Sequence, residues 1–132
     1  MKCISGVVSE KAKALTHPYP SLVNKIEKYG YDAKQLHHIV RLYEFLNNYI
    51  SGMSYEKCLK TNNKEYLIDI KKFKTHSLEQ AKNDCKKYHD LVKEISNDFI
   101  NNNKLIVNEN IKDFIYDITC NIFKIRFKEE LI

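Results

Sequence analysis

Residues 29–42 read Tyr29-Gly30-Tyr31-Asp32-Ala33-Lys34-Gln35-Leu36-His37-His38-Ile39-Val40-Arg41-Leu42. Gly30 stands where an incoming helix has to stop, because a residue without Cβ enters the left-handed turn at no steric cost. Asp32 is a good N-cap, and Gln35, three residues on, completes a capping box. The pattern then predicts one helix over about 32–51, ended by Gly52. Leu36, Ile39, Val40, Tyr43, Leu46 and Ile50 recur at the interval of a buried stripe. Lys34, His38 and Arg41 fall at i, i+4 and i+7, so they share a different face. A helix that carries core contacts on one side thus offers two cations and an imidazole on another, an arrangement suited to an anion.

Outward from this stretch the chain reads as further helices. Toward the N-terminus, Ser9 to Leu15 forms a short helix, and the His17-Pro18-Tyr19-Pro20 elbow breaks it. Ser21 to Tyr29 is short and amphipathic, with Leu22, Val23 and Ile26 on one side and Lys25 and Lys28 on the other. Toward the C-terminus, Ser51-Gly52-Met53-Ser54 is a turn, and Tyr55 to Leu59 makes one helical turn at most. Asn63 caps a helix through about Phe73 that points Tyr66, Leu67, Ile70 and Phe73 inward. Ser77-Leu78-Glu79-Gln80 is a second capping box. It opens a long helix over about 78–103 whose seam is Leu78, Ala81, Cys85, Tyr88, Val92, Ile95 and Phe99. After an apolar connector, Leu105-Ile106-Val107, Asn110 caps a last helix over about 111–128. Its stripe is Ile111, Ile115, Ile118, Ile122 and Ile125, widened by Phe114 and Phe123.

Composition agrees with this reading. The chain has 132 residues, 43% of them hydrophobic, enough for one core without staples. Only 3 Gly and 2 Pro are present, too little turn vocabulary for an all-β fold. The expectation is all-α: a single helical domain over 1–132, built as one bundle of five or six helices. The formal charge of +5 permits nucleic-acid binding without demanding it, since 17 acids are mixed among 22 bases. Lysine dominates, as AT-rich coding would produce, and Arg41 and Arg126 are the only arginines. Cys3, Cys58, Cys85 and Cys120 form no C-x-x-C pair, and the N-terminus does not read as a signal peptide. Reduced thiols in a cytoplasmic protein are expected, and no apolar run approaches the ~20 residues of a membrane span.

Chemistry-bearing residues are few. For Lys34, His38 and Arg41 the competing reading is a solvated face whose charges pair with Glu44 and similar neighbours. Tyr31 suits stacking on a base, and equally packing at the helix start. Lys82, Lys86, His89 and Lys93 share a face of the long helix, but the interleaved Asp84, Asp90 and Glu94 mark it as ordinary surface. Cys85 and His89 lie at metal-sharing spacing, yet Cys85 belongs to the apolar seam. His37 and His38, being adjacent, point to different faces of the helix. No catalytic group, metal site or cofactor is expected from the residues.

The pattern Gly-Tyr-Asp-x-Lys-x-x-x-His-x-x-Arg, filled by Gly30, Tyr31, Asp32, Lys34, His38 and Arg41, resembles the segment that follows the catalytic domain in a family of predicted nucleotidyltransferases. These belong to the DNA polymerase beta superfamily, and some are associated with RNA repair. Ile4 to Leu15 is similar to the helix before that motif, and Lys64 to Leu78 to a later segment. The family often has a second His directly after the Lys, where this chain has Gln35. The palm, with its Gly-Ser loop and metal-binding aspartates, has no counterpart in the 29 residues before Gly30. The resemblance implies a stand-alone, non-catalytic helical module. It would bind nucleotide or RNA phosphates through Tyr31, Lys34, His38 and Arg41, beside a separately encoded palm. The alternative is a small phage-type inhibitor, anti-CRISPR or otherwise anti-defence, that blocks a nucleic-acid-processing complex. Both readings imply a protein partner, are compatible with self-association, and require no membrane.

Overall fold

The computed structural model describes residues 1–103 and 109–130, and for residue 109 and residues 127–130 the backbone alone. Every regular element among them is a helix: α1 (Lys2–Ala14), α2 (Val23–Tyr29), α3 (Ala33–Ile50), α4 (Tyr55–Cys58), α5 (Lys64–Lys71), α6 (Leu78–Asn102) and α7 (Glu109–Glu130). That makes seven helices among the described residues where the sequence predicts five or six. The difference is the single turn α4, whose end is held from outside by an α3 side chain. The Leu105-Ile106-Val107 connector lies outside the described residues.

α3 packs against α1, α4, α5 and α6, and α1 and α6 also pack against each other. The core therefore forms around α3, from Val8 and Leu15 of the α1 segment, Leu36, Ile39, Val40 and Leu46 of α3, Leu67 and Ile70 of α5, and Ala81, Cys85 and Val92 of α6. Ile50, at the end of the predicted α3 stripe, is exposed. α1 starts at Lys2, well before Ser9. Ile4 and Val8, one turn apart, reach the core there. Gly6 faces open space, so its helix penalty of about 1 kcal/mol against alanine is outweighed by that packing.

The Ser77 capping box forms: Gln80 N–H donates to Ser77 Oγ at 3.3 Å, and Ser77 N–H donates to Gln80 Oε1 at 2.8 Å. Leu78 opens the predicted seam but stays at its rim, where it covers Gly30. Gly30 ends α2 with φ 79°, its N–H donating to Ile26 O at 2.8 Å. A Cβ there would stand 2.9 Å from Leu78 Cδ2. Gly30→Ala is expected to destabilise by about 1–2 kcal/mol through the left-handed backbone, with little added by the flexible Leu78 tip. Thermal unfolding followed by circular dichroism reads this directly.

α5 ends before the predicted Phe73. Phe73 N–H donates to Ile70 O and Lys74 N–H to Asp69 O, the two bonds of a Schellman cap. Phe73 takes the left-handed position at φ 57°, where glycine is the usual occupant. Its ring stacks on Tyr29 at 3.8 Å and meets Tyr31 edge-on at 5.3 Å, contacts a glycine would lose. Tyr66, expected inward, lies on the outer side of α5 at 38% exposure.

Candidate anion-binding site

Asp32 is the N-cap of α3: its Oδ1 accepts from Lys34 N–H at 3.1 Å. The predicted capping box does not close. Gln35 Nε2 donates instead to Asp32 Oδ2 at 2.9 Å, because Asp32 N–H is already given to Leu15 O at 2.8 Å. That backbone bond ties the end of α1 to the start of α3, and Asp32 is 1% exposed. The motif's aspartate is thus both a cap and the seam between two helices.

Tyr31 does not offer a stacking surface. Its ring is 2% exposed, its hydroxyl donates to His76 O at 2.9 Å, and burial raises its pKa. A base would have to displace core packing to reach it. The same tyrosine that suits a base from the sequence is here an anchor between α3 and the loop before α6.

Arg41 is also committed elsewhere. Its guanidinium donates to the carbonyls of Cys58 and Leu59 and pairs with Glu44 at 3.4 Å. These are carbonyls at the end of α4, which a single-turn helix leaves without helical partners. Glu44 in turn accepts from Thr61 Oγ1 at 2.7 Å and from Asn62 N–H at 3.0 Å. Arg41 and Glu44 together clamp residues 58–62 onto α3, and the expectation that Arg41 faces an anion gives way to this structural role. Arg41→Ala should lower stability by about 1.5–3 kcal/mol, the range for hydrogen bonds to a charged group. RNA affinity of the folded fraction should stay within about twofold, well under the tenfold that 1.4 kcal/mol represents. Urea unfolding beside an RNA titration separates the two effects.

Lys34 and His38 remain on the open face, and the fold adds two residues to them. Lys11 from α1 and Lys71 from the end of α5 both bear on His38. Burial lowers the pKa of His38, and the charges of Lys11, Lys34 and Lys71 lower it further, with Asp32 partly opposing them. The charges of Lys11 in α1, Lys34 in α3 and Lys71 in α5 are thus all felt at one half-buried imidazole. Among the described residues none of these lysines enters an ion pair. His37 lies beside His38, ring centroids 5.4 Å apart. Among the described residues its buried Nδ1 has no hydrogen-bond partner. Burial, followed by Lys71, His38 and Arg41, takes its pKa down to about 4.

A histidine held neutral in the fold gives a pH signature. His37 binds a proton in the unfolded chain near pH 6.5 but in the folded chain only near pH 4. Between those values the unfolded state carries more protons. Stability is therefore full above about 6.5 and falls as the pH drops toward 4. Melting temperatures across that interval should decline in the native chain and decline less in His37→Gln.

Other clusters have less to offer. Cys85 is buried in the seam, and burial pushes its thiol up to about 11, so it stays protonated at neutral pH. His89 accepts or donates with Ser9 Oγ at 2.9 Å and lies 3.4 Å from Asp90. This string has the connectivity of an acyl-transfer triad, but Ser9 sits inside α1, where the backbone N–H groups are spent on the helix. The backbone beside Ser9 thus supplies no oxyanion donor. Among the described residues no three His, Cys, Asp or Glu side chains gather as a metal site. No helix among them is long and apolar enough to cross a membrane. No protein family, no curated protein and no solved structure matches this chain.

Proposed function

We propose that this chain is a non-catalytic helical module that binds the phosphates of a nucleotide or RNA at Lys11, Lys34, His38 and Lys71. In this reading it works beside a separately encoded catalytic palm, as the nucleotidyltransferase resemblance implies. One observation supports the binding part: the charges of Lys11, Lys34 and Lys71, from α1, α3 and α5 and in no ion pair among the described residues, all act with burial to hold down the pKa of a single imidazole. Such a cluster repels protons when empty and is relieved by an anion. Lysine rather than arginine suits contact with phosphate as a point charge, with recognition of the polyanion rather than of base edges.

The test is direct titration of fluorescently labelled single-stranded RNA, and separately of a nucleoside triphosphate, with the purified chain at several salt concentrations. Binding is expected to weaken linearly in log K against log salt. The expected slope is near −2, from about 0.7 per neutralised phosphate and three lysines. Absence of salt-dependent binding to either probe overturns the reading.

A further inference from the structure

We propose that two copies of this chain exchange α7, each copy seating its α7 in the apolar groove of the other. This does not rest on the phosphate reading. Ile111, Ile115, Ile118, Ile122 and Ile125 are 42–59% exposed, and Phe114 is 63% exposed. The isoleucines follow each other by four, three, four and three residues, the spacing of a seam that packs into neighbouring helices. Among the described residues α7 is not one of the helices that pack closely against another. A seam of this kind left in water across a 22-residue helix is a face made to be covered.

The same chain carries the surface that fits it. A groove of about 1030 Å³ opens among Ile4 of α1, Phe45 and Tyr49 of α3, Tyr55 of α4, and Phe99 and Ile100 of α6. Its walls are aromatic: Phe45 meets Tyr55 edge-on at 5.9 Å, and Tyr49 lies 6.3 Å from Phe99. Tyr49 and Tyr55 are 45% and 64% exposed. An aliphatic seam entering an aromatic groove is helix-in-groove recognition, with anchors at i, i+4 and i+7.

The area fits a second copy. The seam and Phe114 expose apolar surface on the order of 600 Å² per helix, against roughly 800 Å² per partner in a stable interface. Reciprocal exchange makes that contact twice, once for each groove, and closes the pair with no helix or groove left over.

Sedimentation equilibrium of the full chain is expected to give twice the 15.6 kDa of one copy. Two variants then locate the contact. Ile118→Lys with Ile122→Lys spoils the seam but keeps the groove, and Tyr49→Lys with Tyr55→Lys spoils the groove but keeps the seam. All four positions are exposed, so the fold should survive, as circular dichroism can verify. Each variant alone should be monomeric, and the two mixed should form a heterodimer, because one intact α7 meets one intact groove. Tyr116→Lys, on the opposite side of α7, should remain dimeric. A wild-type monomer overturns the proposal, including one in which α7 lies in its own groove or awaits a different protein. So does a groove variant that stays dimeric, which would mean that α7 pairs directly with α7.

Discussion

Replacing Lys11, Lys34 and Lys71 together by alanine should weaken binding to single-stranded RNA by up to about 100-fold at low salt while changing the melting temperature little. Lys34 and Lys71 are exposed and Lys11 half-buried, and an ammonium near the surface facing one opposite charge contributes at most about 1 kcal/mol. Three such losses sum to about 3 kcal/mol, or roughly 100-fold in affinity. The fold should lose little: among the described residues none of the three sits in an ion pair, and Lys11 and Lys71, in the last turns of α1 and α5, each give up about 0.3–1 kcal/mol of helix-dipole stabilisation. The salt slope should flatten in the same variant, since fewer phosphates are neutralised. Substitution to arginine should keep most of the affinity. Fluorescence anisotropy at two salt concentrations reads all of this. If binding runs instead along Lys82, Lys86 and Lys93 on α6, the triple variant binds like the native chain.

Leu36→Ala should be the most destabilising single substitution on α3, at about 2–5 kcal/mol. Leu36 is 0% exposed and belongs to the core that α3 shares with its neighbours. It lies one position before His37, on the side away from the cations, so the loss should appear as a lower midpoint in urea. Where the chain is still folded, RNA affinity should be retained. A drop in affinity at full folding would mean that the lysine geometry depends on this packing.

What could be read from the sequence was local. Asp32 as a cap, the Ser77–Gln80 box, the Gly30 stop and the Leu36, Ile39, Val40 and Leu46 stripe all follow from neighbours within about one or two helical turns. The site was half legible for the same reason. Lys34 and His38 share a face of one helix, but Lys11 and Lys71 join them only because α1 and α5 both lean on α3. Nothing in the spacing of residues 11, 34 and 71 announces that meeting.

Arg41 and Tyr31 show the reverse effect. Each side chain is equally suited to a ligand and to the protein's own backbone, and a tertiary contact decided. The carbonyls of Cys58 and Leu59 took the guanidinium, and His76 O took the phenol. α7 shows a further limit, since periodicity reveals that a face needs covering and is silent about what covers it.

The central claim is that ammonium groups converge on His38 to receive an anion, and the His38 pKa itself measures this. With imidazole resonances assigned through His37→Gln and His38→Gln variants, a nuclear magnetic resonance titration of the native chain should place His38 below the ordinary value of about 6.5. Saturating pyrophosphate, and then a short RNA, should raise it, because the bound charge offsets Lys11, Lys34 and Lys71 while the lowering by burial remains. A His38 pKa that stays where it was under both probes would contradict the site.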